Sequence, residues 1–381
     1  MTIDRRSFLW SVGAGSAATL IPLVQARGHE AGTMLRRLES RAPRMATDLI
    51  RLDSNENPLG PAPEALKAIT EWFGEAGRYP DLIYDGLIDG VSRYVRVPND
   101  HLLFGCGSGE ILKVATETFV TRERPLVTGG PTFETCGNRA GELGLPVRTI
   151  PVDRALKLDL DAMSTACEGA GLVFLCNPNN PTGTLHSAAS LRDAITRMLR
   201  AAPQLMVLVD EAYHEYVDDP GYSTMIPFAL SERRVIVSRT FSKAYGMAGL
   251  RLGFAIARPE TLEKMEPHLV SNNVNQLVGA AAVASLKLAG YADRERRRNS
   301  EARSYAVQVF TDAGYQVAAS QANFLMVDIR RDSKEFREAC RVRGVAVGRP
   351  FPPLTTHARI SIGTLEEMQN AMGVITQVLR T

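Results

Sequence analysis

The sequence predicts an α/β fold: a three-layer α/β/α body around a mostly parallel sheet, followed by a smaller α+β domain. Three observations predict it. Short apolar runs recur between residues 125 and 257 with helical stretches between several of them, the pattern of buried parallel strands joined by helices. A carboxylate, Asp210, closes the very apolar run LMVLVD, and open α/β sheets bind ligands at such strand ends. Beyond residue 310 the pattern changes to strand, helix, strand and a final helix, which reads as a second, smaller unit.

In chain order, residues 1–26 read as an export signal. Arg5 and Arg6 precede the mildly apolar stretch Ser11–Val24, no acid stands between Arg5 and Ala26, and Val24-Gln25-Ala26 offers a signal-peptidase pattern. The arginine pair is similar to a twin-arginine signal, which implies a periplasmic or exported protein. The apolar part is too short for a stable membrane insertion. Residues 27–50 are polar and Arg-rich and read as a linker or arm. LDSNENPLGPAP (52–63) is turn-rich and leads into a helix over Glu64–Phe73. Strands are expected at Pro125–Val127, Val147–Ile150, Leu172–Cys176, Leu205–Val209, Val235–Val237 and Leu252–Ala257, the last antiparallel at an edge. Helices are expected at Glu110–Phe119 and Ala188–Leu199. Residues 276–310 read as one long helix or two. Strand-like Asn323–Val327 and Arg359–Ile362 flank a helix over Lys334–Arg343. The expected division is a large domain over 75–275 and a small one over 51–74 with 276–381.

Composition narrows the function. With 45% hydrophobic residues and a net charge of +2, a large core is affordable and nucleic-acid binding has no electrostatic support. The cluster Arg294, Arg296, Arg297 and Arg298 is interleaved with Asp293 and Glu295 and reads as a solvated helix face. Five scattered cysteines without a CxxC spacing argue against a metal site and against a disulfide framework.

The chemistry concentrates in a few stretches. Lys243 is held among Thr240, Ser242, Tyr245 and Gly246, poor company for a surface charge and good company for a nucleophilic amine beside a phosphate. FGCGSGE (104–110) precedes a helix, so the backbone N–H groups at Ser108 and Gly109 can meet an anion where the helix dipole favours it. Thr240, Ser242 and Arg251 could complete that cup. Asp210 needs a cationic partner, which a protonated pyridine nitrogen would be, and Tyr213 could offer its hydroxyl to the same ligand. The turn NPNNPTGT (177–184) presents Asn180 at the sheet end. Arg359 starts a strand and suits a substrate carboxylate. A lysine amine, a phosphate cup, a buried aspartate and ring-oxygen donors together are what pyridoxal phosphate requires.

On LDSNENPLGP, GRYPD, GSGEIL, PTFET, NPNNPTG, VDEAY, TFSKAYGMAGLRLGF, QANF and RISIGT, in family order over about residues 50–365, the chain resembles the class I/II, fold-type I aminotransferases, nearest the histidinol-phosphate aminotransferase branch. The resemblance implies that Lys243 carries pyridoxal 5'-phosphate as an aldimine. It gives Ser108, Gly109, Thr240, Ser242 and Arg251 to the phosphate, Phe133 to ring stacking, Asp210 to the ring nitrogen, and Asn180 and Tyr213 to the ring hydroxyl. Tyr79 would reach the neighbouring subunit's phosphate, which implies a homodimer. Arg359, Asn57 and Arg349 would contact substrate, a small amino donor or a 2-oxo acid acceptor.

The sequence departs from that branch at Leu59, at Gly109 and in VGRPFPPLTTHA (347–358). With the export signal, these departures predict an amino donor other than histidinol phosphate. A decarboxylase of the same fold uses the same cup and lysine. A non-catalytic regulatory module on this fold would carry a DNA-binding domain where the signal-like segment stands, and an exported structural protein would have no need of Lys243 with Asp210.

Overall fold

The computed structural model describes residues 49–381. The expected signal over 1–26 and the arm up to residue 48 lie outside the described residues.

The apolar runs form one seven-stranded sheet in the order β2 (Leu102–Gly105), β8 (Gly253–Ile256), β7 (Val235–Thr240), β6 (Met206–Asp210), β5 (Leu172–Cys176), β3 (Leu126–Gly130), β4 (Val147–Pro151). Strands β3 to β7 are mutually parallel, and β8 runs antiparallel to both β7 and β2. The edge expected for Leu252–Ala257 is therefore taken by β2, which hid in a four-residue stretch beside the glycine turn. Along β5 the side chains alternate faces. Val173 and Leu175 join one core cluster with helices Leu160–Ala166 and Ala188–Ala201. Leu172, Phe174 and Cys176 join another with helices Ser108–Phe119 and Thr135–Glu142. Burial on both faces is why β5 and β6 read as unbroken apolar runs.

The C-terminal part has its own core. Strands β12 (His357–Ser361), β10 (Phe324–Asp328) and β9 (Gln316–Val317) form an antiparallel sheet. Beside it β1 (Ile50–Leu52) pairs in parallel with β11 (Val345–Val347). Helix Leu365–Arg380 begins with a capping box of Thr364 and Glu367, which satisfies two end groups at once.

Residues 276–310 fall into two helices, Gln276–Leu286 and Tyr291–Asp312, broken by Gly290 at φ 67°. The first packs against Pro63–Glu71, and Ala65, Val278 and Ala281 belong to the large-sheet core. Both of these packed helices fall in the stretches assigned to the small domain, 51–74 and 276–381, while these buried side chains share the core of the large sheet. The arginine cluster is only half solvated. Arg294 and Arg297 are exposed, but Arg296 donates to the Glu215 carbonyl at 3.0 Å and Arg298 pairs with buried Glu295 at 3.0 Å. Among the described residues no helix is long and apolar enough to cross a membrane, and no three metal-ligating side chains cluster.

Candidate functional site

A cavity of about 490 Å³ opens at the C-terminal ends of the parallel strands. Residues of the large sheet line one side and residues of the small one the other. Of the residues singled out from sequence, it brings together Ser108, Gly109, Phe133, Asn180, Asp210, Tyr213, Thr240, Ser242, Lys243, Arg251, Arg349 and Arg359.

The anion cup sits at the N-terminus of helix Ser108–Phe119. Gly107 caps it at φ 78°, and a Cβ there would overlap the Arg251 guanidinium. Arg251 itself takes a left-handed φ of 65°, and its Nη1 donates to Ser242 Oγ at 3.3 Å and to the Ala248 carbonyl at 2.8 Å. Thr240 Oγ1 accepts from the Ser242 amide at 3.0 Å. Two hydroxyls, a guanidinium and a helix terminus thus converge on one volume, which suits a phosphate.

Asp210 ends β6 side by side with Ser238 of β7, whose hydroxyl donates to Asp210 Oδ1 at 3.0 Å. Burial pushes the carboxyl up to about 6, against the pull of Ser238 and Lys243. Fully burying a side chain such as Leu208 or Val209 contributes about 1.5–3 kcal/mol, so packing holds the strand end in place despite the cost of the buried acid. The next residue, Glu211, points away and meets Arg239 at 2.7 Å, both buried. One carboxylate is thus neutralised by the scaffold, while its neighbour keeps a demand for positive charge at the cavity. Burial, then the charges of Arg359 and Arg251, lower Lys243 to about 8 against the pull of Glu56 and Asp210. An amine so placed is partly neutral near pH 7 and can act as nucleophile and base. Its Nζ lies 5.7 Å from the centre of the Tyr213 ring. The Tyr213 phenol, pushed up by burial, accepts from Asn55 Nδ2 at 3.2 Å.

The substrate side is rich in arginine. Arg359 Nη1 donates to Asn180 Oδ1 and Nη2 to the Asp53 carbonyl, both at 2.8 Å. Its buried Nε has no partner among the described residues, and its plane lies over Phe351 at 4.7 Å. Arg349 covers the same ring at 4.3 Å and pairs with Glu134. Arg337 also lines the cavity and makes no hydrogen bond or ion pair to a described residue.

Two of the singled-out residues are not in this cavity, Asn57 and Tyr79, the second of which the resemblance places at a neighbouring subunit's site. Asn57 is buried behind the site, donating from Nδ2 to the Ala244 carbonyl and to Glu295, each at 2.8 Å. It braces the turn after Lys243 and does not line the cavity; Asn55, two residues earlier, does. Tyr79 is 74% exposed and does not line the cavity of its own chain. Sequence reading missed Asn55, Glu134, Arg337 and Phe351. Asn55 and Glu134 sit inside quoted motifs, whereas nothing in KEFREAC marks Arg337.

These residues fit pyridoxal phosphate on two structural grounds: a glycine at Gly107 that lets the Arg251 guanidinium close on the helix N-terminus, and a buried acid, Asp210, with no ion pair among the described residues. The comparisons agree. The family model described as aminotransferase class I and II matches residues 47–375. The histidinol-phosphate aminotransferase of Moorella thermoacetica is 36% identical over 87% of this chain and 86% of its own. That of Symbiobacterium thermophilum is 36% identical over 84% and 88%. The crystal structure of histidinol-phosphate aminotransferase from Sinorhizobium meliloti in complex with pyridoxal-5'-phosphate superposes with a TM-score of 0.78 at 27% identity, covering 87% of this chain and 90% of that one. A match along nearly the whole described body, with the lysine and its cup in one cavity, leads to one conclusion: the chain belongs to the class I and II aminotransferase family and is a pyridoxal-phosphate-dependent transaminase.

Proposed function

We propose that this transaminase takes as donor an α-amino acid whose carboxylate docks on Arg359, rather than histidinol phosphate. The carrying observation is the buried Arg359, which lines the same cavity as Lys243 and is held by Asn180 and the Asp53 carbonyl. A planar guanidinium fixed by Asn180 and Asp53 suits one carboxylate held by two parallel hydrogen bonds. Glu134 supports the second half of the reading. It already occupies Arg349, and it adds a negative charge to the cavity lining, which a phosphate group would meet unfavourably.

Ser108, Gly109, Thr240, Ser242 and Arg251 would hold the cofactor phosphate, and Asp210 its ring nitrogen as a cation. Asn180 Nδ2 and the Tyr213 hydroxyl would meet its ring oxygen, with Phe133 against the ring. Pyridoxal phosphate supplies the electron sink that lets a Cα–H bond break. The protein's own part is proton handling and orientation. Lys243 Nζ would take the proton from the donor's Cα and pass it to the cofactor's C4′; a group with its pKa near the working pH can do both. Arg359 fixes the carboxylate so that the Cα–H points to that nitrogen, an advantage of position.

Titrating the holoenzyme with histidinol phosphate, histidinol and a set of L-amino acids, and following the cofactor absorbance, tests the donor. At least one amino acid should convert the cofactor band faster than histidinol phosphate does. If histidinol phosphate is faster than every amino acid, the donor reading falls.

Two further readings rest on less. A homodimer is supported by Tyr79, Leu82 and Phe73, apolar side chains that are 74%, 68% and 54% exposed on one stretch of chain. Sedimentation of the holoenzyme checks it. Export by the twin-arginine route is supported by Arg5, Arg6 and Val24-Gln25-Ala26. Protein recovered from the periplasm should then begin at Arg27, and full-length protein confined to the cytoplasm would contradict it.

A further inference from the structure

We infer that Glu134 is a specificity-determining residue, a built-in competitor that holds Arg349 against substrates with a second anionic group. Glu134 follows Phe133 at the start of helix Thr135–Glu142, on the large-sheet side of the cavity. Arg349 stands just past β11, on the small-sheet side. Their ion pair spans 215 residues of sequence at the mouth of the cavity, with side chains 46% and 51% exposed.

The surroundings make this pair a competitor and not a strut. Arg349 is already placed without Glu134: its plane lies 4.3 Å from the Phe351 ring centre, and its Nη1 donates to the Pro350 carbonyl at 3.0 Å. Phe351 also meets Arg359, so one ring contacts two guanidinium groups. The inner one is fixed by Asn180 and Asp53 and lines the cavity, where it would meet one carboxylate through its remaining Nη hydrogens. The outer one would meet a second anion on the same substrate. Arg337, unpaired among the described residues, adds to that attraction. Glu134 puts a carboxylate on the outer position first. A substrate bringing its own second anion must displace it or suffer like-charge repulsion, which is how a site rejects a competitor. The favoured class is therefore an amino acid and an oxo acid with one carboxylate and an uncharged side chain.

This inference rests on the reading that Arg359 holds the first carboxylate. Calorimetric titration of the holoenzyme with glutarate, a dianion, and butyrate, a monoanion of similar length, separates the two. Because a half-exposed ion pair is a weak contact, Glu134→Gln should tighten glutarate by only roughly two- to fivefold, and leave butyrate unchanged. Adding Arg349→Gln should abolish that gain. Glutarate binding that is unchanged or weaker in Glu134→Gln, a gain shared by butyrate, or a gain that survives Arg349→Gln, each overturns the inference. Arg359→Gln should weaken both ligands. If it weakens neither, the Arg359 reading fails whatever Glu134 does.

Discussion

Arg359 Nη1 donates to Asn180 Oδ1 at 2.8 Å across 179 residues of chain. That one bond joins strand β12 of the small sheet to the turn after β5 of the large one, at the point where cofactor and substrate would meet. Asn180 thereby has its oxygen committed to Arg359, and its NH₂ group is left for the contact to the cofactor proposed above.

Replacing Arg359 by Gln removes the planar cation but keeps an amide for Asn180. The KM for carboxylated donors should rise about a hundredfold, the cost of a charge-assisted bond of roughly 2–3 kcal/mol, with cofactor affinity changed little. Lys should rescue poorly, because it cannot present two parallel donors. Steady-state kinetics with the cofactor absorbance recorded alongside check both; an unchanged KM removes Arg359 from the site.

Lys243→Met should lower turnover at least about a hundredfold, since both nucleophile and base are gone. The cofactor's protein-bound absorbance should vanish with it. The same variant makes a stability prediction for protein freed of cofactor. Lys243 is depressed from 10.5 to about 8, so its contribution to stability is present above the unfolded value and is lost as pH falls through about 8. At pH 7 the buried amine therefore costs on the order of 3 kcal/mol, and the neutral Met variant should melt higher. The advantage should shrink as pH rises from 8 to 10. A variant no more stable at pH 7 contradicts the burial of the amine.

Asp210→Asn keeps an acceptor for Ser238 Oγ and removes the charge. Turnover should fall at least about a hundredfold while the cofactor still binds through its phosphate cup. In cofactor-free protein the raised carboxyl works the other way from the lysine. Its protonated form favours the fold below pH 4, and that contribution is lost as pH rises through about 6. Thermal melting of wild type against Asp210→Asn should diverge over pH 4–6, in favour of the variant at the upper end.

Gly107→Ala places a methyl group where the Arg251 guanidinium lies, at a φ of 78°. It should cost about 1–2 kcal/mol of stability, and the displaced guanidinium should weaken the affinity for pyridoxal phosphate. Equilibrium dialysis of the cofactor reads the second effect directly; unchanged affinity would mean that the cup does not need Arg251 where it stands.

Legibility in the sequence followed burial and continuity. Leu172–Cys176 is a strand with those same limits because each residue is buried on a two-sided sheet. Asp210, Asn180 and Lys243 were readable because they interrupt apolar or turn-locked stretches. Leu102–Gly105 was not, being four residues long and merging into a glycine turn. Nor was β1, whose partner Val345–Val347 lies nearly the whole chain away, a pairing no local pattern encodes. At the site the error was one of choice between near neighbours. Asn55 and Asn57 sit in the same turn, and only the fold turns the first toward Tyr213 and the second toward Ala244. Arg337 rides on an ordinary amphipathic helix, so its charge looked like any other surface charge.

Glu211 and Arg239 are paired behind the site, out of reach of any substrate. The groups that would hold the cofactor are thus backed by a buried ion pair outside the cavity lining, while Glu134, Arg337 and Arg349 line the cavity itself. A lineage could retune this enzyme to a new metabolite through a few substitutions at those lining positions and inherit the chemistry intact, so catalytic competence and substrate identity can drift at separate rates.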